Sequence, residues 1–89
     1  MKAIVTVIGK DRVGIIASVC ALMASHNVNI LDISQTIMQG NFTMIMLVSL
    51  EKAEVTISAL SEAFDKLGKE IGVEIFVRSD KIYDAMHRV

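Results

Sequence analysis

Two adjacent stretches decide the fold of this chain: A-I-V-T-V-I at residues 3–8 and G-K-D-R-V-G-I-I at residues 9–16. The first is apolar and β-branched, which is typical of a strand buried on both faces. The second begins with a polar segment between two glycines, which predicts a loop. Apolar residues then recur at helical spacing, so a helix is predicted over about 13–26. Asp11 is expected to cap this helix or to stand just before its cap.

Strand-like and helix-like patterns of the same kinds continue through the rest of the chain. In order, the sequence predicts strands over 28–39 and 42–50 around a turn at 39–41, a helix that opens at 51–54 and ends at Gly72, a strand over 73–78 and a short terminal helix over 81–87. This β-α-β-β-α-β order predicts an α+β fold, a ferredoxin-like sandwich. Its four-stranded antiparallel sheet carries both helices on one face. Residues 1–80 are predicted to form the domain, and residues 81–89 a short C-terminal helical extension of it.

The third predicted strand is apolar on both of its faces. Phe42, Met44, Met46 and Val48 alternate with Ile45 and Leu47. Helices cover only one face of such a sheet, and a soluble monomer rarely leaves several large apolar side chains on the other. We therefore expect a homo-oligomer, with a two-fold dimer favoured. The alternative is that the terminal helix folds back over the open face.

Composition excludes several classes of function. The 89 residues carry nine basic and ten acidic side chains with no run of Lys or Arg, so a nucleic-acid partner is not expected. A single cysteine, Cys20, allows neither an internal disulfide nor a cysteine-only metal site. We find no metal, cofactor or catalytic motif. No signal peptide is evident, and the apolar runs are far shorter than the ~20 residues of a membrane span, so a cytoplasmic protein without membrane contact is predicted.

The loop over 9–14 is the strongest candidate for chemistry. It leads into a helix N-terminus, where unpaired backbone N–H groups favour a carboxylate or a phosphate. Gly14 would allow a ligand to approach closely, and Asp11 could receive an ammonium group, so the loop suits both ends of a free amino acid. The alternative is purely structural: Asp11 caps the helix, and Gly14 makes room for packing.

Four short motifs carry a resemblance to a known family. G-K-D-R-V-G-I-I at residues 9–16 resembles the D-R-x-G-I/L motif at the first turn of ACT domains, and N-V-N-I at residues 27–30 resembles the opening of their second strand. D-I-S-Q-T at residues 32–36 and F-T-M at residues 42–44 are similar to segments of short stand-alone ACT-domain proteins of about 90 residues. The resemblance covers essentially the whole chain.

The resemblance implies a regulatory unit that binds an amino acid or a similar small metabolite between paired domains. In amino-acid-binding members the ligand is held by the first turn and the start of strand two. Carried over residue by residue, the expected ligand contacts are Lys10, Asp11, Arg12, Val13, Gly14, Ile15 and Asn29. Some members have Asn where this chain has Asp11, and a carboxylate there would repel a ligand carboxylate or hold an amine.

Two other functions stay open beside the ligand-binding regulator. One is an interaction module that docks a regulated protein in trans without a small ligand. The other, less favoured, is an acylphosphatase-like hydrolase, in which Arg12 and Asn29 would imitate the catalytic pair of that fold, although the loop does not match its motif. We predict no catalysis. Asp32, Ser34 and Thr36 share one face of strand two, as a solvated edge, a dimer contact or the wall of a ligand cleft.

Overall fold

The computed structural model describes residues 1–79 of the chain. Its elements are β1 (Lys2–Lys10), α1 (Ile15–Ser25), β2 (Asn29–Met38), β3 (Asn41–Ser49), α2 (Ile57–Ile71) and β4 (Val73–Ser79). The strands form one antiparallel sheet in the order β2-β3-β1-β4, so β1 and β3 are central and β2 and β4 are edges. The α+β ferredoxin-like βαββαβ fold is confirmed. The predicted terminal helix and the extension over 81–89 lie outside the described residues.

Helix α1 begins later than the sequence predicts, and Asp11 does not cap it. Its N-cap is Gly14, whose φ of 93° is left-handed, and no side chain makes a capping hydrogen bond there. The backbone N–H of Asp11 donates instead to the carbonyl of Gly40 at 2.8 Å, which joins the first turn to the β2–β3 turn. At the other end the prediction is confirmed, since His26 is the C-cap and Asn27 has φ 58°.

Helix α2 starts at Ile57 rather than at 51–54 because its cap is Thr56. The Thr56 hydroxyl accepts a hydrogen bond from the backbone N–H of Ala59 at 3.1 Å. A Thr cap of this kind contributes about 1 kcal/mol to helix stability. Gly72 ends the helix in a left-handed conformation with φ 74°, as predicted.

The core lies between the two helices and one face of the sheet, here called the covered face. Its sheet residues are Ala3, Val5 and Val7 of β1, Phe42, Met44, Met46 and Val48 of β3, and Val73, Ile75 and Val77 of β4. Helix α2 approaches β4 so closely that a Cβ on Gly68 would lie 2.6 Å from the carbonyl oxygen of Val73. A glycine at this position is therefore required by packing.

The opposite face, here called the open face, alternates with the core along every strand. Its residues are Lys2, Ile4, Thr6, Ile8 and Lys10 of β1, Asn29, Asp32, Ser34, Thr36 and Met38 of β2, Asn41, Thr43, Ile45, Leu47 and Ser49 of β3, and Glu74, Phe76 and Arg78 of β4. Ile8, Ile45 and Phe76 remain 42%, 43% and 38% exposed. The core therefore buries most of the apolar side chains of the covered face, whereas on the open face Ile4 is buried at 9% exposure and the other large apolar side chains stay partly exposed.

Candidate ligand site

The first turn, residues 10–14, presents an open surface at the end of β1. Val13 is fully exposed, and a Cβ on Gly14 would meet no atom within 4 Å. Gly14 is therefore needed for its left-handed backbone and not to make room for packing. This removes packing as the reason for Gly14, and it leaves space above the turn that a ligand could occupy.

The start of α1 gives this turn its electrostatic character. The first N–H groups of a helix have no intrahelical partner and carry a partial positive charge. No acidic side chain lies in the first helical turn of α1, at the start of the helix itself, to offset that charge. Ile15 is 3% exposed, so its side chain belongs to the core and only its backbone N–H can face a ligand. The turn can therefore receive an anionic group through its backbone.

Arg12 is engaged in a structural contact. One guanidinium nitrogen, Nη1, donates to the carbonyl of Ile71 at 2.8 Å, at the C-terminus of α2. A cation at this position satisfies an orphan carbonyl and complements the negative end of the helix dipole. Arg12 thereby ties the first turn to the end of α2, and its remaining donors stay available on the exposed side.

Asn29 lies at the opposite end of the sheet from the first turn. Ser49 of β3 pairs with Lys2 on one side and with Asn29 on the other, whereas Lys10 pairs with Asn41 beside the far end of β2. The eight residue steps of β1 between these ends span about 26 Å at the usual rise per residue. One chain therefore brings Lys10, Asp11, Arg12, Val13, Gly14 and Ile15 together but leaves Asn29 apart from them. The acylphosphatase-like pairing of Arg12 with Asn29 fails for the same reason.

Asn29 borders a groove of about 740 Å³ at its own end of the sheet. Its other lining residues are Ala24, Asn27, Val28, Leu31, Ser49, Glu51 and Lys52. Glu51 and Lys52, in the connection from β3 to α2, supply one acidic and one basic group beside the amide of Asn29. Sequence reasoning missed them because it assigned this connection to the start of a helix.

A β-bulge decides which face the polar residues of β2 occupy. The register shifts between Ile30 and Asp32, so that Leu31 is an extra residue opposite β3. As a result Asp32 pairs with Leu47 on the open face, and Ser34 and Thr36 follow it there. The prediction that these three share a face is confirmed, and they lie on an edge strand of the open face.

Other kinds of site find no support in the part of the chain that the structure describes. Across residues 1–79 no three His, Cys, Asp or Glu side chains are grouped so that they could hold a metal ion. Neither α1 nor α2, the helices of that range, is long and apolar enough to cross a membrane.

Comparison with known proteins decides the family. A family model of the ACT domain matches residues 2–78. This chain belongs to the ACT domain family. ACT domains are regulatory ligand-binding modules.

Relatives of the same length support the assignment. A UPF0237 protein of Methanopyrus kandleri is 49% identical over 88 residues, which cover 99% of this chain and 98% of that protein. A UPF0237 protein of Clostridium acetobutylicum is 52% identical over 89 residues and covers all of both chains. The resemblance to short stand-alone ACT-domain proteins is thereby confirmed.

Solved structures agree with the sequence relatives. An ACT domain protein from Streptococcus pneumoniae superimposes with a TM-score of 0.82 at 40% identity and covers 98% of each chain. The regulatory subunit of aspartate kinase from Thermus thermophilus gives a TM-score of 0.69 at 26% identity, over 89% of this ACT domain and 51% of that chain.

Proposed function

We propose that this ACT domain is a regulatory sensor that binds an amino acid, or a metabolite with the same two charged ends, between two copies of the chain. The observation that supports this is the separation of the first turn from Asn29 across the sheet. The family resemblance assigns both regions to one ligand. Because they lie about 26 Å apart in one chain, only a second copy can complete such a site.

Edge strand β2 offers a way for two copies to meet. Its outer side has no partner strand among the described residues. In antiparallel pairing the start of one strand lies opposite the end of the other. Two β2 edges paired in this way would bring Asn29 of one copy to the end of the sheet where the second copy has its first turn.

The chemistry of the two regions suits a zwitterion. Backbone N–H groups at the start of α1 would bind the carboxylate, since they are unpaired and lie at the positive end of the helix dipole. Asp11, free of any capping role, would accept the ammonium group. The amide of Asn29 would add one donor and one acceptor from the other copy, and exposed Val13 would contact the ligand side chain.

Ligand binding of this kind acts by stabilising one assembly over another. The ligand shifts the equilibrium only as far as its affinities for the two states differ. A protein that docks on one of those states would then read the metabolite concentration, which makes a regulated protein partner in trans part of the proposal.

A second candidate function is docking of a protein partner without a small ligand. It is favoured by the large apolar side chains that β2 leaves exposed: Ile33, Ile37 and Met38 are 45%, 57% and 67% exposed. Such a strand could add to the sheet of another protein.

A thermal-shift screen of the whole chain against the twenty amino acids separates the two candidates. A ligand at about 100 times its dissociation constant adds about 2.7 kcal/mol, which raises the Tm of a domain this size by several degrees. The proposal expects Asp11→Ala and Asn29→Ala each to abolish that rise. Asp65→Ala removes an exposed carboxylate from α2 and should leave the rise unchanged. A flat screen would favour docking of a protein.

Mixing the two inactive variants tests whether the site is shared. A pair of one Asp11→Ala chain and one Asn29→Ala chain contains one site with both changes and one with neither. The mixture should therefore regain part of the binding, measured by calorimetry, that each variant lacks alone. If the mixture binds no better than the separate variants, the site lies within one chain.

A further inference from the structure

We propose that the open face of the sheet is the contact surface between two copies of this chain, packed face to face with their strands running in the same direction. The inference adds a named surface to the proposed function. It does not depend on a ligand, and it uses the open face of the sheet rather than the outer hydrogen-bonding edge of β2.

The distribution of apolar side chains on the open face is that of an interface. Ile4, Ile8, Ile45 and Leu47 lie on the two central strands, and polar or charged residues occupy most of the two edges. Ile4 is already buried in one chain, with 9% exposure, so the apolar surface left for a partner comes mainly from the other three. An apolar centre with a polar rim is the usual anatomy of a protein contact. Ile8 and Ile45 each leave more than two fifths of their surface exposed, and a facing sheet would bury them.

Charge complementarity indicates a second copy as the occupant. The register places Asp32, Leu47, Ile4 and Arg78 in one row across the sheet, with the acid on one edge and the base on the other. A two-fold axis between β1 and β3, parallel to the strands, exchanges the two edges. Asp32 of each copy would then face Arg78 of the other, and the same rotation sets Leu47 against Ile4.

The position of Arg78 suits this role. Its guanidinium carbon lies 5.8 Å from the centre of the Phe76 ring, and its Nη1 donates to the carbonyl of Val77 at 2.9 Å. The guanidinium is therefore held beside an apolar side chain with donors to spare. Facing sheets pack about 10 Å apart, a gap that a long Arg and an Asp side chain can close together.

Charge also selects the direction of the strands. With the axis across the strands instead, Arg78 would face Glu74, but Lys2 of each copy would face Lys10 of the other. Like charges opposite one another are unfavourable. With the axis along the strands these lysines face the uncharged side chains of Ser49 and Asn41, which are their neighbours on β3.

The area of the open face indicates how strongly two copies can associate. Four strands and about eight residues of each outline a footprint of roughly 500 Å². Stable interfaces bury about 800 Å² of accessible surface on each partner. The open face is smaller than that, in the range of weak interfaces, so we expect a dimer that dissociates on dilution.

Sedimentation velocity of the full chain without ligand, over a dilution series, tests the proposal. Asp32→Arg and Arg78→Asp should each raise the dissociation constant at least tenfold, because each sets like charges opposite one another. The double variant that carries both changes restores opposite charges and should recover most of the affinity. Glu62→Arg makes a matched change on the exposed surface of α2 and should have no effect. Circular dichroism melting confirms that each variant is folded.

Three results would overturn the proposal. The first is a wild-type chain that stays monomeric at every concentration, which would leave residues 80–89 or another protein as the cover of this face. The second is single variants that dissociate as the wild type does. The third is a double variant, Glu74→Arg with Arg78→Glu, that dimerises as the wild type does. That result would show that the strands of the two copies run in opposite directions. All three results are obtained without ligand, so they do not decide whether a ligand brings two copies together. Failure here is distinct from failure of the proposed sensor, which the thermal-shift screen tests.

Discussion

The covered and open faces of the sheet are made by the same four strands, yet their side chains differ in burial. Met44 and Ile45 are adjacent on β3; the first is fully buried and the second is 43% exposed. Hydropathy does not separate the two side chains, because both are large and apolar. What separates them is topology, since both crossover helices pack on one side. The open face therefore keeps an apolar surface that one copy of the chain leaves unused.

The largest expected effect comes from comparing two phenylalanines, one on each face of the sheet. Phe42 lies on the covered face with 2% exposure, and Phe76 lies on the open face with 38%. Phe42→Ala should lower the free energy of unfolding by about 3–5 kcal/mol, since it leaves a cavity in the core. Phe76→Ala should cost less than half as much when urea denaturation is measured at a dilution that favours monomers. Equal losses would mean that the open face is as fully packed as the core.

The next test concerns the close contact between α2 and β4 on the covered face. In an exposed helix, Gly→Ala stabilises by about 1 kcal/mol. Gly68→Ala should instead destabilise by about 1–3 kcal/mol, because its Cβ would lie 2.6 Å from the Val73 carbonyl oxygen. Thermal unfolding measures the difference, with Lys69→Ala on the exposed side as a control. A stabilised Gly68→Ala variant would mean that α2 sits further from β4.

The smallest effects distinguish the starts of the two covering helices. Thr56→Ala removes the cap of α2 and should cost about 1 kcal/mol, because the Ala59 N–H loses its acceptor. Asp11→Ala should change stability by only a few tenths of a kcal/mol, as is usual for surface substitutions, since it caps nothing in α1. Chemical denaturation of both variants checks this. A large loss from Asp11→Ala would return Asp11 to a structural role and weaken its assignment to a ligand.

Most of the fold could be predicted from the sequence because its signals are local. Runs of apolar and β-branched residues identified the strands, the 3.6-residue stripe identified α2, and Gly72 marked its end. The start of α1 was wrong because the left-handed backbone of Gly14 excludes residue 13 from the helix. Thr56, directly before the apolar stripe, was a cap signal that could have corrected the start of α2.

The candidate site was harder to predict because it depends on strand direction. Strands β1 and β2 run parallel with β3 between them, so their starts lie at the same end of the sheet. The predicted order of elements already implied this direction, and it separates Asn29 from the first turn. The groove beside Asn29 depends instead on a loop conformation, for which Glu51 and Lys52 carry no periodic signal.

Because of the bulge at Leu31, the effect of deleting one residue from β2 depends on where in the strand the deletion falls. A chain that lacks Leu31 would still pair Asp32 with Leu47, and both faces would keep their chemistry. A chain that lacks one residue further along the strand would exchange its two sides from that point to the turn. Deletions in this strand therefore have unequal effects. Loss of Leu31 keeps the two faces as they are, whereas loss of a residue beyond Asp32 inverts the surface on which both the edge and the open face depend.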